Sequence, residues 1–141
     1  MERKHYDLEP FREAQQRDFP QALAEIRAGQ KRSHWIWYIF PQLRGLGYSD
    51  YAVYYGLEDL EEARRFLQDP MLGANLREIT QALLELPQRD PHQVMGSPDH
   101  LKLRSSMTLF AQAAGEGSLF QQVLEKYYHG KPDAKTLSLL A

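Results

Sequence analysis

The chain has no cysteine among its 141 residues. This removes disulfides, thiolate metal sites and cysteine nucleophiles together. It also lacks a strong charge bias, with 17 Lys and Arg against 19 Asp and Glu and a formal net charge of -2. A domain that lives on phosphate-backbone contacts carries a marked excess of Lys and Arg, so the composition argues against nucleic acid as a partner. No run approaches the ~20 apolar residues that span a bilayer. The first ten residues are charged and polar, without the apolar segment of an export signal. The expectation is a soluble, cytoplasmic protein with no membrane partner. Five histidines, His5, His34, His92, His100 and His129, show neither i, i+4 pairing nor an HExxH arrangement, so no metal site is expected. A glycine-rich phosphate loop, a GxSxG elbow and a dinucleotide fingerprint are absent too, and no cofactor is expected.

What the chain does have is helical periodicity from end to end. Phe19, Ala22, Leu23 and Ile26 form an i, i+3, i+4, i+7 stripe, with Asp18 and Pro20 marking its start and Gly29 its stop. Tyr51, Tyr54 and Tyr55 continue the pattern over a short helix between Ser49 and Gly56. Asp59 and Glu62 have capping-box spacing ahead of Leu60, Ala63 and Leu67. Asp69 and Pro70 open the longest segment, where Leu72, Leu76, Ile79, Leu83 and Leu86 step by four and three until Pro87. Ser97 and Pro98 begin a helix carrying Leu103, Met107, Phe110 and Ala114. Phe120, Val123, Leu124 and Tyr127 supply another stripe, and a last helix spans Asp133 to Leu140. Only Trp35 to Phe40 reads as a strand, but it has no strand partner; it is better read as a short buried helix capped by Ser33 and ended by Pro41. The prediction is an all-α fold, a single domain over 1–141 with about seven or eight short helices.

Candidate chemistry sits in two stretches without acidic residues. Between Glu25 and Asp50 the only charged residues are Arg27, Lys31, Arg32 and Arg44, joined by His34. If Ser33 caps a helix, the free amides of its first turn point with Lys31 and Arg32 toward a shared anion. His34 can add a hydrogen bond or move a proton. Trp35 and Trp37 lie close to that terminus, and an indole face stacking on a base contributes about 1–3 kcal/mol. Phosphate and ring together suggest a nucleotide-like ligand. The same residues also suit a plainer reading, in which both tryptophans are core and the Lys-Arg pair solvates a helix start. Gly45 and Gly47 are turn residues that place Arg44 and Tyr48.

The second stretch, His100 to Gly115, holds Lys102, Arg104, Ser105, Ser106 and Thr108. On a helix Asp99, Lys102 and Ser106 share a face, so Lys102 is placed to lower a hydroxyl pKa. Alternatively Asp99 and Lys102 form an exposed i, i+3 ion pair and Ser106 faces solvent. Asp133 and Lys135 read as a helix cap and a solvated lysine, a pair that can also close over a ligand.

Three runs carry a resemblance: Lys31 through Gln42, Leu46-Gly47-Tyr48-Ser49, and Asp99 through Phe110. They resemble a bacterial family of small proteins of unknown function that is sometimes labelled calpastatin. The likeness extends from about Phe11 through Gly130, Asp133 and Thr136-Leu137. It implies a compact all-helical fold and supplies no settled activity. Calpastatin is a disordered repeat protein, whereas this chain has a patterned core throughout, so the label does not suit it. Ile36 stands where methionine is common in similar proteins, and His100 where an acidic residue is common.

Taken together, the sequence suggests a binding protein or enzyme for a phosphate-bearing, nucleotide-like small molecule of the nucleotide, NAD or ADP-ribose class. His34, Lys102 and Ser106 are the candidate catalytic residues. Lys31, Arg32, Ser33, Trp35, Trp37, Gln42, Arg44, Tyr48, Asp99, Arg104 and Ser105 are the candidate ligand contacts. A non-catalytic protein-interaction module and a single-stranded nucleic acid binder are the alternative readings.

Overall fold

Short polar caps set most helix boundaries in the computed structural model, which describes residues 2–141. Ser49, Asp59, Asp69, Asp90, Ser118 and Asp133 each accept a hydrogen bond from a first-turn amide of the helix that follows, satisfying donors that have no partner within the helix. Among the described residues there are nine helices and no strands: α1 Glu9–Arg27, α2 Ile36–Ile39, α3 Asp50–Tyr54, α4 Leu60–Gln68, α5 Pro70–Glu85, α6 Pro91–Met95, α7 Asp99–Ala114, α8 Leu119–Tyr128 and α9 Ala134–Leu140. The all-helical expectation holds. The helix it did not include is α6, which at five residues is too short to show a 3.6-residue repeat.

Three local expectations are corrected. Helix α1 begins at Glu9, not at Asp18, and runs straight through Pro20. Phe11, Ala14, Phe19, Ala22, Leu23 and Ile26 are all buried along it, and this continuous packed face outweighs the hydrogen bond that a proline removes. Asp18 caps nothing; its carboxylate accepts from the Tyr38 hydroxyl and pairs with Arg17. Ser33 is not the cap of α2 either. Trp35 holds that position without a side-chain cap bond, and α2 ends at Ile39 with Phe40 as its C-cap, before Pro41 as expected. Finally, Glu62 reaches back not to its capping-box partner Asp59 but to the Glu58 amide, at 2.9 Å. Its carboxylate also holds the buried Arg3 guanidinium at 2.7 Å.

Helix α7 is the central element, packed against α2, α4, α6, α8 and α9. Its Leu103, Met107, Leu109 and Phe110 are buried in one apolar core with Phe11, Phe66, Ile79 and Phe120. The segment after α2 forms a closed excursion. The Arg44 amide donates to Leu57 O at 2.8 Å and the Leu57 amide to Gln42 O at 3.0 Å, so residues 44–56, with α3 among them, project as one loop from a two-rung base. Gly56 permits that closure, since a Cβ there would lie 2.8 Å from Arg44 Cα and 2.8 Å from Ala52 O. Gly47 likewise lets the loop fold onto α3, where a Cβ would meet Ala52 Cβ at 2.9 Å. This excursion forms one wall of the candidate site.

Candidate ligand cleft

The first acid-free stretch is built around an anion that the protein itself supplies. Glu25, at the end of α1, turns its carboxylate into the 31–35 segment. It accepts from the Arg32 amide at 2.7 Å, the Ser33 amide at 2.9 Å, the Ser33 hydroxyl and the Trp35 indole N–H at 3.0 Å. Gln21 adds a further donor at 2.8 Å. Burial raises the affinity of this carboxylate for a proton, but the hydrogen bonds from Ser33, the Arg32 amide, Gln21 and Trp35 outweigh it and hold its pKa at about 2. The Arg32 and Ser33 amides are therefore already turned toward an internal carboxylate rather than an external phosphate. Trp35 is 1% exposed and has no open face on which a ring can stack. Arg32 and His34 are exposed at the surface of this segment, and neither lines the cleft described below.

The two acid-free stretches nevertheless meet. Lys31, whose side chain is 6% exposed, places its ammonium 2.8 Å from Asp99 Oδ2 and donates to Ser33 O. Lys102 donates to the other Asp99 oxygen at 3.1 Å, so one carboxylate bridges the two signature lysines. Desolvation pushes the Asp99 pKa up, and the pairing with Lys31 and Lys102 more than offsets it, leaving the group below its ordinary value. Both lysines also lie over indole rings, Lys31 over Trp35 at 4.9 Å and Lys102 over Trp37 at 5.5 Å. Asp99 and Lys102 form the expected i, i+3 pair, but as part of this half-buried triad rather than in open solvent.

Next to the triad lies a cleft of about 430 Å³, within the range of small-molecule sites. One wall is the excursion, with Gln42, Leu46, Gly47, Tyr48, Ser49 and Ala52; the other is the first turns of α7, with Pro98, Leu101, Lys102 and Ser105; Asp133 and Lys135 close the end. Tyr48 stands at the rim, 83% exposed. The Gln42 side-chain amide and the Lys135 ammonium have no hydrogen-bond or ion-pair partner among the described residues, and the Lys102 side chain is still 28% exposed.

Other candidate residues act at a distance or lie elsewhere. Arg104 does not face the cleft; its guanidinium donates to Lys131 O at 2.9 Å and Pro132 O at 3.1 Å. Thr108 accepts from the Asp133 amide at 2.8 Å. Together they clamp the 131–133 segment onto α7 and so set where Asp133 and Lys135 stand. Ser105 lines the cleft but donates to Leu101 O at 3.2 Å, one turn back. Ser106, expected on the face of Asp99 and Lys102, is fully buried in the core, and its hydroxyl has no hydrogen-bond partner among the described residues. The face that the helical repeat assigns to it belongs to the packing side of α7, because this helix is covered by neighbours on several sides. Arg44 sits under the excursion, donating to Val53 O at 3.2 Å and lying 3.8 Å from Glu58. Trp37 is half-buried, edge-on to Tyr51 with ring centroids 5.0 Å apart. Glu25 has no local signal in the sequence, since its partners in the 31–35 segment are seven to ten residues away, and Leu46, Ser49, Ala52, Pro98 and Leu101 line the cleft without having been among the candidate contacts. Among the described residues no group of three or more His, Asp or Glu side chains is arranged to hold a metal ion, and no helix is long and apolar enough to cross a membrane.

The comparisons agree on family and fold. No curated protein matches the chain. The crystal structure of the conserved hypothetical protein Rv1873 from Mycobacterium tuberculosis is similar over 96% of both chains, with 47% identity and a TM-score of 0.93. Residues 5–140 match the family described as protein of unknown function, DUF1810, and the chain belongs to that family.

Proposed function

We propose that the cleft between the two signature stretches binds a phosphate-bearing, nucleotide-like small molecule. The observation that carries this reading is the convergence there of two lysines from distant parts of the chain, Lys102 on α7 and Lys135 on α9, around a concave space of about 430 Å³. Lys102 has ammonium protons to offer beyond its single bond to Asp99, and Lys135 is unpaired. Lysine serves phosphate as a compact point charge. The role of stacking platform passes from Trp35 to Tyr48, whose ring stands open at the mouth, and the apolar Leu46, Ala52 and Leu101 give a ring system surface to cover. A reaction would need a proton carrier at this cleft; Lys102 is the candidate, and His34 and Ser106 lie outside it. Binding alone is the reading the geometry supports best.

The test is a thermal-shift and calorimetric series with AMP, ADP, NAD, ADP-ribose and inorganic phosphate. At least one is expected to stabilise the parent, and to fail with Lys102→Ala and with Lys135→Ala. A flat series overturns the proposal. One other face supports the interaction-module reading: Tyr51 and Val53 are exposed and, with Tyr54 and Tyr55, border a depression of about 620 Å³. A flat ligand series together with self-association or partner binding lost in Tyr51→Ser would give the function to that face. Single-stranded nucleic acid binding loses one of its two expected stacking platforms, since Trp35 is buried.

A further inference from the structure

Resting on that reading, we infer that the ligand is a phosphate ester carrying a vicinal diol, of which a ribonucleotide is the type, and that Asp133 is the residue that selects the diol. Asp133 is the one carboxylate lining the cleft, where a site for bare phosphate or polyphosphate would do better without it. Its two oxygens have different tasks. Oδ2 accepts from the Thr136 amide at 3.0 Å and the Thr136 hydroxyl at 2.6 Å, holding the start of α9. Oδ1 has no hydrogen-bond partner among the described residues. The position is enforced from behind, because the Asp133 amide is held by Thr108 and the preceding carbonyls by Arg104.

A carboxylate fixed in a cleft that two lysines also line makes a specific demand. It needs hydrogen-bond donors from the ligand, and Lys102 and Lys135 disfavour a ligand cation as the donor. Neutral hydroxyls carried on the same molecule as the phosphate meet both conditions, and two vicinal hydroxyls can share one carboxylate. The opposite wall is suited to the rest of such a molecule, since the Gln42 amide is free to donate and accept.

The substitution Asp133→Asn separates the effects. Asparagine is as good a helix cap as aspartate, and its carbonyl oxygen can keep the Thr136 bonds, which turns the amide NH2, a donor, toward the cleft. Calorimetry on the full chain would compare AMP, 2′-deoxy-AMP and inorganic phosphate. In the parent AMP is expected to bind roughly 10-fold or more tightly than 2′-deoxy-AMP, the size of a charged hydrogen bond. In Asp133→Asn that preference is expected to collapse to within about twofold, while inorganic phosphate binds more tightly than in the parent because a negative charge has gone. Equal binding of the two nucleotides by the parent overturns the diol inference and leaves the phosphate reading standing. A preference that persists in Asp133→Asn overturns the role of Asp133. Binding of none of the three overturns this inference, and the phosphate reading falls with it when ADP, NAD and ADP-ribose are flat as well. Circular dichroism and the unfolding midpoint of Asp133→Asn, expected to match the parent, show whether the variant is folded.

Discussion

The 31–35 segment and the cleft beside Lys102 look alike in sequence and differ in the fold. Each offers a lysine, a hydroxyl and an aromatic ring, and neither 31–35 nor 100–115, the stretch of α7 that lines the cleft, contains an acidic residue. In the first, Glu25 arrives from α1 and satisfies two amides, a hydroxyl and an indole N–H. In the second, the carboxylate that arrives, Asp133, fixes a helix start with one oxygen and leaves the other open, while Lys135 stays unpaired. An acid-free run therefore reports only that no counter-charge is near in sequence. Whether one is near in space decides if the basic residues hold the fold together or meet a ligand. Stability and binding are expected to divide along that line.

The largest effect is expected from Glu25→Ala. It would leave the part-buried Arg32 and Ser33 amides, the buried Trp35 indole N–H and the Ser33 hydroxyl without an acceptor, and the cost of orphaning such groups sums to about 3–5 kcal/mol. The midpoint of urea or thermal unfolding should fall accordingly, by about 10 °C. A loss below about 1 kcal/mol would break the comparison. Lys31→Ala comes next, at about 2 kcal/mol, because it takes one partner from a half-buried bridge that keeps Lys102. Its effect should appear in unfolding more than in the affinity of an intact cleft.

The acid limb sharpens the contrast. Glu25 has a folded pKa depressed to about 2 from an ordinary carboxylate value, so its contribution is full above the unfolded pKa and is lost as pH falls toward 2. Asp99 and Asp69 are depressed as well and act in the same direction. Stability should decline from about pH 5 downward, and Glu25→Gln should be less stable at neutral pH yet show a shallower decline, measured by denaturant unfolding at a series of pH values. The smallest stability effects are expected in the cleft. Lys102→Ala should cost about 1 kcal/mol or less, and Lys135→Ala, on an exposed side chain without an ion pair, should fall within about 0.5 kcal/mol. Both should abolish binding of phosphate-bearing ligands, so variants that hardly move the unfolding midpoint would remove the ligand shift.

Much of the fold was legible because its signals are local. The caps at Asp59 and Asp69, the proline that opens α5 and the proline after α2 each act within one turn, and the helical stripes reappear as the buried faces of α4, α5, α7 and α8, save Ala114, which is exposed at the end of α7. Where local signals failed, long-range packing had replaced them. Pro20 lies within α1 because the buried face of that helix extends to both sides of it. Ser106 is interior because α7 is enclosed by other helices rather than lying on one side of the core.

Periodicity, capping and local charge are properties of neighbours along the chain, and they were enough to read the helical class, most of the helix ends and the two stretches where basic residues gather. Which of those basic residues are already paired, the meeting of the stretches through Asp99, and the cleft that Asp133 and Lys135 complete between them all arise on folding. Hydrogen bonds and ion pairs depend on distances of about 3 Å, and residues far apart in sequence reach such distances only when the chain folds.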